Sequence, residues 1–93
     1  MYLVDVTNSY ARLVQSQLDT TDVTYVKVYS LGSTNIVYTE SPRTIGIVLE
    51  NHQHNIHHSE IVFLINQLFK HSDVNYTLTT DPDQHLIELH IKK

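Results

Sequence analysis

Four histidines, His52, His54, His57 and His58, fall between Asn51 and Glu60 in a chain that holds seven. Neutral imidazole is the commonest nitrogen ligand for Zn²⁺, Ni²⁺ or Cu²⁺, and Glu60 would add an oxygen ligand. The candidate metal set is therefore His52, His54, His57, His58 and Glu60, for zinc or another divalent transition metal. His54 and His58 share a helical face only if the helix starts near Gln53. The spacing is neither that of a zinc finger nor His-Glu-x-x-His. The competing reading, a solvated histidine-rich loop and helix start, is the stronger, because a helix N-terminus disfavours imidazolium. Protonating all seven histidines would carry the formal charge from −4 to +3, so a pH-responsive protein is the companion reading.

A second candidate lies at the first strand-to-helix junction, Asp5-Val6-Thr7-Asn8-Ser9-Tyr10-Ala11-Arg12. Exposed amides at a helix start, with an arginine nearby, suit a small anion, which makes Asn8, Ser9 and Arg12 the candidate anion or ligand residues. Plain helix capping explains the same residues. Asp81 and Asp83 flank Pro82 and read as turn residues rather than an acid–base pair. No nucleophile has an identifiable base and orienting acid, so no catalytic residue and no enzymatic activity is expected.

These residues must be held by a small set of elements. Tyr2 to Val6 reads as a strand, and Tyr10, Ala11, Leu13, Val14 and Leu18 form one helical stripe. Asp22 to Leu31 and Asn35 to Thr39 flank Gly32-Ser33 as a hairpin, and Ile45, Ile47 and Leu49 alternate as a further strand. Ile61, Val62, Leu64, Ile65, Leu68 and Phe69 give a second helix a broad apolar stripe. Val74, Tyr76 and Leu78, then Ile87, Leu89 and Ile91, alternate as the last two strands.

The halves also match at an ungapped offset of 51 residues: Leu13 on Leu64, Asp22 on Asp73, Tyr25 on Tyr76, and Ile36 on Ile87. The expected fold is thus α+β, a two-layer sandwich of duplicated β-α-β-β units, about 2–40 and 45–92, within a single domain 1–93. One mixed sheet would carry both helices on one face. Strand parity then points Val23, Tyr25, Ile36 and Tyr38 at the helices and leaves Val26, Val28 and Val37 on the outer face. An apolar outer face calls for a cover, so these three valines are the expected interface, with a homo-oligomer or a protein partner as occupant.

Composition bounds the rest. Hydrophobic content of 41% with 17% charged residues is that of a compact chain rather than a disordered one. With no cysteine there is no disulfide or thiolate chemistry. Six scattered Lys and Arg against ten Asp and Glu argue against nucleic acid as a partner. The start MYLVDVTNSY lacks a signal-peptide pattern, and the apolar run Ile61 to Ile65 is too short to span a bilayer, so a cytoplasmic location without membrane contact is expected.

From Val4-Asp5-Val6-Thr7-Asn8-Ser9-Tyr10 through Val26-Lys27-Val28-Tyr29-Ser30, the chain resembles a family of short uncharacterised proteins, domains of unknown function, from lactic-acid bacteria and relatives. The resemblance implies a bacterial cytoplasmic protein with no assigned activity, cofactor or catalytic residue. The residues themselves favour a small non-enzymatic binding or regulatory module that self-associates.

Overall fold

The computed structural model describes residues 2–19, 22–69 and 74–93. The elements run β1 (Leu3–Asp5), a 3-10 turn (Thr7–Tyr10), α1 (Ala11–Leu18), β2 (Tyr25–Leu31), β3 (Thr34–Glu40), β4 (Thr44–Glu50), α2 (His58–Phe69), β5 (Thr77–Thr80) and β6 (Leu86–Lys92). The six strands form one sheet in the order β1-β2-β3-β4-β6-β5. Every neighbouring pair is antiparallel. The fold is α+β, as the alternating and helical periodicities predict.

The expected mixed sheet is corrected to an antiparallel one. After α2 the chain lays β5 at the outer edge, and β6 returns between β5 and β4. The halves share an order of elements but not of pairing. β1 joins the strand that follows its helix, whereas β4 joins the second strand after α2. Shifted by 51 residues, β2 and β3 fall on β5 and β6, but β1 falls on the histidine loop rather than on β4. Asp73, the partner of Asp22 in the match, lies outside the described residues.

The core fills the space between α2 and one face of the sheet. Ile36, Ile47, Leu49, Ile87, Leu89 and Ile91 alternate onto that face and meet Ile61, Leu64 and Ile65 of α2. Period two from the strands and a broad helical stripe thus converge on a single layer. Ile56, in the loop before α2, turns back into the same core. A Leu64→Ala change in such a fully buried site costs about 2–5 kcal/mol.

The two helices do not share a face. On the α2 side of β2, Tyr25 is 43% exposed, while the opposite-facing Val26 and Val28 are 6% and 1% exposed. Neither valine belongs to the α2 core. The 3-10 turn and α1 pack along β2 and supply the cover on that second face. Packed along β2, α1 has no fully buried residue, and its Leu13 and Leu18 remain exposed.

The β2–β3 hairpin closes through Gly32-Ser33, where Gly32 has φ +60°. A two-residue hairpin turn needs a residue that accepts positive φ, and glycine does so without a Cβ clash.

Candidate functional site

The histidine loop does not gather its imidazoles. His52 pairs with Glu50 at the end of β4. His54 Nδ1–H donates to the Asn55 carbonyl at 3.0 Å, and its Nε2 accepts from the Ser33 hydroxyl at 2.9 Å. That tautomer satisfies both ring nitrogens at once. The His57 ring stacks on that of His54, with centroids 6.3 Å apart. The His57 amide donates to Glu60 Oε2 at 3.1 Å, and the Glu60 amide returns a bond of 3.0 Å to the His57 carbonyl. Glu60 therefore serves as the reciprocal glutamate of a helix cap. His58 is exposed in the first turn of α2.

Among the described residues, no three His, Cys, Asp or Glu side chains are arranged to hold a metal ion. The set His52, His54, His57, His58 and Glu60 is thus dispersed. The His54 ring is held by Ser33 and Asn55, the Glu60 carboxylate by the His57 amide, and His52 faces Glu50.

What the loop does contain is a buried node at Asn51, whose side chain is fully inaccessible. Its Nδ2 donates to Ser33 Oγ at 2.9 Å and Thr34 Oγ1 at 3.1 Å, and its Oδ1 accepts the amides of Gln53 at 2.8 Å and His54 at 3.0 Å. The His85 Nδ1–H donates to the Asn51 carbonyl at 2.7 Å. The node joins the start of β3, the end of β4, the loop and the residue before β6. Among the described residues, no buried side-chain polar atom lacks a partner, so the node reads as a brace. The only trace of Asn51 in the sequence is an asparagine directly after a strand, where it can form a local turn.

The β1–α1 junction is also occupied by the chain itself. The Thr7 hydroxyl and amide donate to Asp5 Oδ1 at 2.6 and 3.0 Å, and Lys27 Nζ lies 3.2 Å from Asp5 Oδ2. These donors, the Thr7 hydroxyl first, bring the Asp5 carboxyl from 3.8 down to about 2. Neither the 3-10 turn nor α1 has a side-chain cap. Asn8, Ser9 and Arg12 are exposed on the turn and helix that follow this Asp5–Thr7–Lys27 cluster. Asp81 accepts the amides of His85 at 2.8 Å and Leu86 at 3.1 Å, which closes the β5–β6 turn as its sequence predicts.

The remaining feature is the sheet face opposite α2. Val28, Val37 and Val48 lie side by side on β2, β3 and β4, and the row continues to Glu88 on β6. The adjacent row runs Val26, Thr39, Gly46 and His90. Exposure changes along these rows. Val26 and Val28 are covered within the chain, so they offer no free interface, whereas Val37 and Val48 are half-buried. Of the three valines expected at an interface, Val37 alone stays partly exposed, with Val48 and Gly46 beside it on β4. Alternation in Ile45–Glu50 signals that Gly46 and Val48 share this face. At the Thr44–Lys92 end of the sheet, a mostly apolar cleft of about 410 Å³ opens between Tyr76 and Ile91.

The model of the domain of unknown function DUF1827 matches residues 1–92. The chain belongs to this family. The DUF1827 fold seen here is similar to the crystal structure of a conserved protein of unknown function from Streptococcus thermophilus LMG 18311, with a TM-score of 0.88. The two are 25% identical, over 100% of this chain and 97% of that one. No curated protein matches the chain. The family agrees with the resemblance drawn from the sequence. Among the described residues of this DUF1827 chain, no helix is long and apolar enough to cross a membrane.

Proposed function

We propose that this chain is a small non-enzymatic binding or regulatory module that works through self-association. The observation that supports this reading is the sheet face opposite α2, where Val37, Val48 and Gly46 stay partly exposed side by side on β3 and β4. An apolar centre with a polar rim is the anatomy of an interaction surface. Threonine, glutamate and histidine side chains around it, His90 with Glu88 at 3.5 Å among them, supply the polar rim.

Sedimentation velocity over a wide concentration range tests the reading. The expected result is a reversible shift from monomer to dimer as concentration rises. A single monomeric species at the highest attainable concentration would overturn it.

A further inference from the structure

We propose that the occupant of the open face is a second copy of this chain, packed antiparallel about a two-fold axis that crosses the strands between Gly46 and Val48. The proposal rests on the self-association reading and adds its geometry.

The first argument is shape. On β4, Gly46 and Val48 lie two residues apart on one face, one without a side chain and the other with a branched one. A two-fold axis across the strands keeps β4 over β4 and reverses its direction. Each Val48 then seats over the bare Gly46 of the other copy. A glycine inside a strand commonly marks such a close approach, here made beside the Thr39 hydroxyl, which lies 3.0 Å from where a Cβ at 46 would sit. The face is therefore complementary to itself, as a two-fold interface must be.

The second argument is charge. Glu50 lies at one end of the face and Lys92 at the other, since Thr44 pairs with Lys92 and Glu50 with Leu86. Glu88 and His90 occupy the middle of β6 in the same sense, and His90 Nε2 lies 3.5 Å from Glu88 Oε2. Reversing one copy brings its Lys92 end over the Glu50 end of the other and its His90 over Glu88. A two-fold axis along the strands would instead stack like on like. Opposite charge at the two ends selects the antiparallel pairing.

Size sets the expected strength. Four strands about 4.8 Å apart and about six residues long give a footprint of roughly 19 by 20 Å. That is less than the roughly 800 Å² per partner of a standard stable interface, so dissociation in the micromolar range is expected.

Charge exchange at the two ends tests the geometry by sedimentation equilibrium of the full chain. Lys92→Glu and Glu50→Lys each set like charges against each other, and each is expected to weaken dimerisation about tenfold. The Lys92→Glu/Glu50→Lys double variant restores opposite charges and is expected to return to within a few-fold of the wild type. Val48→Asp is expected to abolish the dimer, with circular dichroism confirming that each variant is folded. A monomeric wild type overturns self-association itself. A wild-type dimer indifferent to all four variants overturns this face and leaves self-association standing. Single-variant losses that the double variant does not recover overturn the antiparallel arrangement.

Discussion

The Asn51 side-chain amide lies 2.9 Å from the Ser33 hydroxyl, joining the end of β4 to the β2–β3 turn across 18 residues of sequence. Three further bonds from the same buried side chain reach Thr34, Gln53 and His54. Replacing Asn51 with leucine keeps the branched shape but leaves these donors and acceptors without partners. A loss of about 2–4 kcal/mol is expected, measured by urea unfolding. Ser33→Ala removes one member only and is expected to cost about 1 kcal/mol. Similar losses from the two changes would show that Asn51 is not the node described.

The Asp5 cluster predicts a pH dependence with a defined sign. Folding lowers the carboxyl from 3.8 to about 2, so the folded state binds this proton less readily than the unfolded chain. Its contribution is complete above 3.8 and is lost as the pH falls through about 2. Stability should therefore rise with pH across that window. In Asp5→Asn the rise should be shallower, and Thr7→Val, which removes the leading donor, should fall between the two. Urea midpoints collected from pH 2 upward read this directly, and parallel curves for wild type and Asp5→Asn would refute it.

The elements of this fold were legible because their periods are local. Ile45, Ile47 and Leu49 announce their face by alternation, and the α2 stripe announces its own. Even the match of halves placed Ile36 and Ile87 correctly in one core. Pairing was not legible, because the choice of β6 over β5 as neighbour of β4 is made by contacts far apart in sequence. The same holds for α1. Its stripe of Leu13, Val14 and Leu18 reads as core-facing, yet the helix packs along β2 with Leu13 and Leu18 left exposed. The surroundings of the candidate sites were not legible for a related reason. Histidine spacing and cap residues describe what a segment offers, whereas Ser33, from elsewhere in the fold, and Asp5, two residues before Thr7, decide what is already taken.

Glu60 separates a capping role from a metal-binding one. Its carboxylate accepts the His57 amide at 3.1 Å, so Glu60→Ala is expected to cost about 0.5–1 kcal/mol of stability. Glu60→Gln retains an acceptor and should lose less. Calorimetric titration with Zn²⁺ is expected to give no micromolar binding, and His52→Ala should leave that result unchanged. Tight binding that vanishes in Glu60→Gln would restore the metal reading and overturn the cap as its explanation.

Gly46 and Thr39 make a coupled pair on the open face. A Cβ at position 46 would lie 3.0 Å from Thr39 Oγ1, which itself donates to the Gly46 carbonyl at 3.2 Å. In an unhindered strand, glycine to alanine gains about 0.5–1 kcal/mol from the lost flexibility of the unfolded chain. Here Thr39 must rotate and give up its bond, at a cost of about 1 kcal/mol, so Gly46→Ala should be close to neutral. In a Thr39→Ala background that obstacle is gone, and the same substitution should become stabilising. A double-mutant cycle by urea unfolding measures the difference, expected near 1 kcal/mol. A coupling of zero would mean that the hydroxyl does not oppose the added methyl. Because Gly46 is also the bare position over which Val48 of a second copy would seat, these melts belong at concentrations where the chain is monomeric.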